Sequence, residues 1–381
     1  MAGQKKLVIG ITISGSVPLI RGQALYFTQQ GYQVYLMCPK DEKSLAYCRE
    51  EGCTLLEVQI ERRISPLKDL VSLIQITKIL RRLKPDIVNV GTPKMGLIGS
   101  IAAWLAKVPI KIYTCRGLRY EHEKGWLKKL LYFTETIPGK LSHKVICISP
   151  SVKERAVKDR VFTEAKTVVL ANGSSNGINA HRFRRENINF AAREKLLDDL
   201  SLRGKFIFGM IGRLIDRKGI NELYEAFQIL HGQNQNIALV LVGKKDPSQI
   251  RDNNLISNIT GHPAIQWVGW QDDVPLYMSL FHVFVMPAWW EGFGNAYVEA
   301  AAMGIPVIGS TGTGCVDAVK HGYNGWVVPP KDVNALVSAM ETYLQQTNLM
   351  MEHGKNGIIW ASHFKQEDIW QAQKELYESF T

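Results

Sequence analysis

KFIFGMIGRLIDRKG, residues 205–219, starts as an apolar run, breaks at Gly212 into a charged loop holding Arg213 and Lys218, and leads into a helical pattern. Ile220, Leu223, Phe227 and Leu230 recur at the helical period. A short apolar run followed by that period reads as a buried strand feeding a helix. The loop then sits at the carboxyl end of the strand, beside the free N–H groups and positive dipole end of the helix. Arg and Lys there suit a diphosphate, since a guanidinium binds two oxygens at once. The string alone also fits a solvated charged loop.

The same alternation runs outward in both directions. Upstream, strand-like runs occur at 7–13, 32–37, 86–90, 111–115 and 144–149, with helical stretches such as 67–83 and 97–106 between them. Downstream they occur at 237–243, 264–270, 283–287 and 306–310. Such alternation predicts α/β architecture, with parallel sheets covered by helices on both faces. The segment NGSSNGINAHRFRREN (172–187) interrupts it and reads as a linker or an ordered connecting loop. Three parts follow: a Rossmann-like domain over 1–175, a second over 188–362, and a C-terminal helical segment over 363–381. Ligands of such sheets bind at the carboxyl ends of the strands.

The chain of 381 residues is long enough for two domains, and its 46% apolar and 21% charged residues are ordinary for a globular protein. No apolar run reaches the roughly 18 to 20 residues that span a bilayer. Lys5-Lys6 before LVIGITI imitates a signal peptide, but the apolar core is short and no small-residue cleavage site follows. It reads as a first buried strand. The six cysteines are scattered, with no CxxC pair, and read as buried free thiols of a reducing compartment. Charge is uneven: residues 1–185 hold 31 Lys+Arg against 14 Asp+Glu, a surplus of 17, whereas the rest is net acidic within a total of +11. A basic front half predicts a negative partner there.

A second string, PAWWEGFGNAYVEAAAMGIPVI (287–308), opens where the strand VFVM ends. Glu291 lies in its glycine-rich turn, and a helix is expected from Asn295 as N-cap to Met303, with Gly304 as the stop. Glu299 then lies about one turn in, on a helix otherwise small and apolar. A carboxylate so placed needs a partner, and vicinal hydroxyls such as those of a ribose supply two hydrogen-bond donors. Gly292 and Gly294 let backbone N–H groups approach an anionic or hydroxyl-rich ligand.

Together, Gly212-Arg213-Leu214…Lys218-Gly219 and Glu291…Glu299 resemble the paired G-R-[LF]-x-x-x-K-G and E-x7-E motifs of the family 4 glycosyltransferases. The likeness covers nearly the whole chain, including SGSVPLIRGQ (14–23) as the family's first loop, 92–121 as its acceptor-side region and 269–278 near the base. It implies the glycosyltransferase-B fold, two facing Rossmann-like domains with the C-terminal helix returning to the first. It implies transfer of a hexose or N-acetylhexosamine from a nucleotide-sugar, a UDP-sugar by preference, with retention of configuration. It also implies roles. Arg213 and Lys218 hold the leaving diphosphate; Glu291 and the backbone of Gly292, Phe293, Gly294 and Asn295 bind the donor sugar and phosphate. Glu299 binds the ribose, and Gly15 brings the first loop to the diphosphate. No metal and no cofactor are implied, the nucleotide-sugar being a substrate, and the sequence holds no DxD string. The chain departs from the family where many members carry His after a Tyr-Thr-x strand end: here the residues are Tyr113-Thr114-Cys115-Arg116-Gly117. Arg116, with Lys94, is the candidate for the acceptor side, and His122 lies nearby.

EHEKGWLKKLLYF (121–133), read as a helix, sets Trp126, Leu127, Leu130, Leu131 and Phe133 beside Lys124, Lys128 and Lys129. Basic amphipathic helices bind membrane surfaces, and an ordinary helix with a core face gives the same pattern. TPK with RGLRYE resembles bacterial enzymes that build capsule or O-antigen repeats on a polyprenyl diphosphate. The expectation is therefore a cytoplasmic enzyme, peripheral on the inner face of the membrane, with a lipid-diphosphate-linked acceptor. A nucleotide-sugar epimerase of the same fold stays open as the alternative. A dehydrogenase is excluded, since the first loop lacks GxGxxG, and no nucleic-acid-binding motif is present.

Overall fold

The computed structural model describes residues 4–61 and 65–380. Contacts divide the chain into two compact units: Met1–Gly177 with Gln366–Thr381, and Ile178–Lys365.

The first unit holds strands β1 (Lys6–Gly10), β2 (Gln33–Cys38), β3 (Thr54–Glu57), β4 (Ile87–Gly91), β5 (Ile110–Cys115), β6 (Lys144–Cys147) and β7 (Thr167–Val168). They form one sheet in the order β3-β2-β1-β4-β5-β6-β7, parallel throughout. The order reverses between β1 and β4, so the loops after these two strands diverge to opposite faces and leave a crevice at their carboxyl ends. The strands are apolar nearly end to end because helices cover both faces: β4 is buried at every residue.

The second unit holds β8 (Phe206–Ile211), β9 (Ile237–Val242), β10 (Ile265–Gly269), β11 (Val283–Val285), β12 (Val307–Ser310) and β13 (Gly325–Val328). Their order is β10-β9-β8-β11-β12-β13, again parallel, with the reversal between β8 and β11. The helix Ile220–Gln233 follows β8 and buries Ile220, Leu223, Phe227 and Leu230 against the sheet. Each such side chain contributes about 1.5–3 kcal/mol by leaving water.

The C-terminal helix Gln366–Glu378 belongs to the first unit. Tyr377 is fully buried, and its hydroxyl accepts from Asn89 Nδ2 at 2.7 Å and from Gln373 Nε2. Gln23 Nε2 donates to Gln373 Oε1 at 2.7 Å, and Trp370 Nε1 donates to Asn176 Oδ1 at 2.8 Å. Asn176 also donates to the Arg21 carbonyl, so this part of 172–187 is an ordered loop, not a slack tether. All six cysteines are free thiols, five of them buried. Among the described residues no helix is long and apolar enough to cross a membrane.

Candidate functional site

In the second unit, the loops after β8 and β11 flank the reversal of strand order. A 3-10 turn, Asp216–Lys218, closes the first loop, and Gly219 follows it at φ +75°. Only glycine fits there: a Cβ would lie 2.3 Å from the Pro287 carbonyl oxygen. This close approach brings the two loops together, and Trp289 N donates to the Arg217 carbonyl at 2.8 Å.

Lys218 and Glu291 meet as a result. Lys218 Nζ lies 2.8 Å from Glu291 Oε1, and Arg217 Nη1 lies 2.9 Å from the same oxygen. Arg217 also donates to the Trp290 carbonyl and lies 4.4 Å over the Trp290 ring. Burial opposes the charge on Glu291, but Lys218 and Arg217 more than offset it and hold the carboxyl below its ordinary range. Arg217 escaped the sequence reading, although it lies inside the quoted loop. Arg213 is 40% exposed, and its Nη1 lies 3.8 Å from Asp246 Oδ2 on the loop after β9.

The helix after β11 runs Asn295–Ala302. Its N-cap is Gly294 at φ +85°, not Asn295, which is the first helical residue. A Cβ on Gly294 would lie 2.5 Å from the Tyr297 ring, so the cap position is closed to other residues by conformation and by space. Phe293 is buried against Phe364. The helix ends as expected, with Met303 as C-cap and Gly304 at φ +71°. Glu299 is partly buried, and among the described residues no side-chain hydrogen bond or ion pair reaches its carboxyl. Burial pushes it up to about 7, with Arg182 and Lys218 acting in the opposite direction. A carboxyl held in this way by its own fold without a partner is suited to a hydroxyl ligand.

Arg213, Lys218, Glu291, Gly292, Gly294, Asn295 and Glu299 thus lie on three adjoining segments of one unit. Gly15 lies in the other unit, exposed on the 3-10 turn Ser14–Leu19 after β1, whose Ser14 and Val17 are buried. A Cβ there would meet only Ile13 at 3.6 Å, so local packing does not demand glycine. At the β1/β4 reversal the Thr12 and Thr92 hydroxyls lie 2.7 Å apart, and Thr92 stands at φ +72°, an uncommon conformation for a β-branched residue. Lys94 is not an open cation: it pairs with Asp69 at 2.6 Å with its side chain largely covered. Arg116 follows β5 and donates from Nε to Ser175 Oγ at 2.8 Å.

The basic segment is helical over Gly125–Leu141, not from residue 121; Arg119–His122 form a 3-10 turn, and Lys124 is the N-cap. The helix buries Leu131, Glu135 and Thr136 but turns Leu130 and Ile137 outward, with Trp126 74% and Phe133 62% exposed. The helix Pro66–Leu83 does the same with Leu67, Leu70, Val71 and Ile74, at helical spacing.

Two family models match the chain: "Glycosyl transferases group 1" over residues 193–360 and "Glycosyl transferase 4-like" over 14–149. The capsular polysaccharide biosynthesis glycosyltransferase CapM of Staphylococcus aureus is 33% identical over 372 residues, which is 97% of this chain and 96% of the relative. An Escherichia coli protein named UDP-Gal:alpha-D-GlcNAc-diphosphoundecaprenol alpha-1,3-galactosyltransferase is 28% identical, covering 86% of this chain and 84% of its own length. Among solved structures, HepE of Anabaena in complex with UDP and glucose matches with a TM-score of 0.82 at 18% identity, over 99% of this chain and 100% of that one. The fold is that of the glycosyltransferase-B enzymes, two Rossmann-like units with parallel sheets, and the chain belongs to the group 1 glycosyltransferases.

Proposed function

We propose that this glycosyltransferase moves a hexose or N-acetylhexosamine from a UDP-sugar to a polyprenyl-diphosphate-linked saccharide, with retention of configuration and without metal, in the synthesis of a cell-surface polysaccharide. The observation that carries the donor side is the cationic pair Arg213 and Lys218 on the same strand-end loop, beside an unpartnered Glu299. As the bond between the anomeric carbon and the donor phosphate breaks, negative charge grows on the diphosphate. Arg213 and Lys218 neutralise it, as preorganised charges at a developing anion do. Glu299 accepts from the ribose hydroxyls. The acceptor hydroxyl attacks from the face that the leaving phosphate vacates, and that phosphate takes its proton. Glu291, tied by Lys218 and Arg217, positions these cations and the sugar and forms no covalent adduct. The name of the E. coli relative supports a lipid-diphosphate acceptor. The outward apolar residues of the helix Gly125–Leu141, with Lys124, Lys128 and Lys129, support a place on a membrane surface, the inner face in this reading.

The test is a screen of UDP- and GDP-sugars for hydrolysis, followed by transfer to short-chain polyprenyl diphosphate saccharides, with the anomeric configuration of the product read by NMR. Transfer with retention is expected. An inverted product, a glycosyl adduct on Glu291 by mass spectrometry, or epimerisation of the UDP-sugar without an acceptor overturns the corresponding part.

A further inference from the structure

Arg116 carries a charge that the first unit does not answer. Its guanidinium lies back over the end of β4, so close to Gly91 that a Cβ there would be 1.6 Å from Nη1. Nε has one neutral partner, Ser175 Oγ; Nη1 is buried and has no hydrogen-bond partner. No carboxylate pairs with it among the described residues. The polar groups around the adjoining cavity are all neutral, and several are already committed to one another. Thr114 donates to Asn89, Asn89 to Tyr377, Gln373 to Tyr377, and Gln23 to Gln373. The cavity is too small for more than a water-sized group. Whatever answers the charge therefore reaches it from the open side, for Arg116 is only partly covered.

A covered guanidinium without a counter-charge is costly to hold, and such costs persist where a ligand offsets them. Its planar fork matches an oxyanion that presents two oxygens. Gly91 ends β4 and Arg116 directly follows the neighbouring β5, beside the β1/β4 reversal, the place in a parallel sheet where ligands bind. We propose that Arg116 is an oxyanion receptor of the first unit that binds a diphosphate group of a substrate. The chemistry is shared by two sources, the nucleotide-sugar and a lipid-linked acceptor; only the choice between them rests on the function proposed above. Burial lowers the Arg116 guanidinium to about 10, so it stays charged at neutral pH.

The experiment measures binding of UDP and of a short-chain prenyl diphosphate to the full-length protein by calorimetry, for wild type, Arg116→Gln, Arg116→Lys and Gly91→Ala. Gly91→Ala keeps the charge but displaces the guanidinium. Arg116→Gln is expected to weaken one ligand tenfold or more, Gly91→Ala to do the same, and Arg116→Lys to lose less than Gln. Loss of prenyl diphosphate binding alone assigns the acceptor; loss of UDP binding alone assigns the donor. Unchanged affinity for both in folded Arg116→Gln overturns the proposal. If that variant does not fold, unchanged affinity in Gly91→Ala overturns it. A wild type that hydrolyses no nucleotide-sugar defeats the proposed function, whereas loss of prenyl diphosphate affinity on displacing Arg116 still upholds the receptor.

Discussion

Lys218 Nζ and Glu291 Oε1 are 2.8 Å apart, which joins the loop after β8 to the loop after β11 by a pair that is mostly covered from solvent. The lysine assigned to the diphosphate is therefore already held in place, and its charge is shared with a carboxylate that also takes Arg217.

Replacing Arg213 by Ala removes an exposed cation whose long ion pair with Asp246 is worth about 0–1 kcal/mol. The fold should tolerate it, while turnover should fall on the order of 10²–10³, the usual result of losing one charged contact to a developing anion. Lys218→Ala should cost as much activity and also some stability, because Glu291 keeps only Arg217. Steady-state kinetics beside thermal melts separate the two. Wild-type turnover in both variants removes these residues from the mechanism.

Glu291→Gln should destabilise the protein at neutral pH by roughly 1–3 kcal/mol, since Lys218 and Arg217 are left facing a neutral group. The folded carboxyl is held below its ordinary range, so its contribution is present above the unfolded value near 4.5 and is lost as pH falls through the lower folded value. The difference between wild type and variant should therefore shrink in acid. A gap that is constant from pH 7 down to pH 3 contradicts this.

Glu299 has the opposite sign. Burial raises it to about 7, so the folded state binds the proton more tightly than the unfolded one and stability falls as pH rises from about 4.5 to 7. Glu299→Gln should therefore stabilise the free protein above pH 7, by on the order of 1 kcal/mol, and change little near pH 4. The same variant should weaken UDP tenfold or more, because charged hydrogen bonds to hydroxyls are worth about 1.5–3 kcal/mol. Unaltered UDP affinity by calorimetry makes Glu299 a structural residue.

Liposomes test the membrane reading. Each Lys near an anionic surface contributes about 1 kcal/mol, and salt screens the attraction. Wild type should sediment with anionic vesicles and leave them as salt rises. Lys124→Glu with Lys128→Glu and Lys129→Glu should abolish binding yet spare donor hydrolysis. Indifference of the wild type to anionic vesicles would make the outward Trp126 and Phe133 contacts for something else.

Tyr377→Phe should cost about 1–3 kcal/mol, since it leaves Asn89 Nδ2 and Gln373 Nε2 without their acceptor inside the first unit. Thermal denaturation measures it, and an unchanged midpoint refutes it.

The long apolar strands were legible because both their faces are covered, so hydrophobicity alone marks them. β3, β7 and β13 were not: β3 is an edge strand with exposed ends, β7 has two residues, and β13 is the edge run GWVV. Arg213, Lys218, Glu291 and Glu299 were visible as motif and spacing; that Lys218 pairs with Glu291 was not. Arg217 was not visible either, because Glu291 lies 74 residues further along the chain and meets it only once the loops after β8 and β11 are folded together. Lys94 looked open in sequence since its partner, Asp69, lies on another helix. The N-cap was misjudged at Asn295 because its usual capping chemistry counted for more than the left-handed backbone that Gly294 alone supplies.

The first unit is written in two pieces, 1–177 and 366–381, with the second unit entire between them. During synthesis, residues 178–365 have all their own strands before Ile369, Trp370 and Tyr377 exist. The amino-terminal half, although made first, lacks part of its core until the helix Gln366–Glu378 has been made. The second unit should therefore gain protease resistance earlier on the ribosome than the first, and a chain stopped at residue 365 should hold a resistant second unit beside a digestible first one.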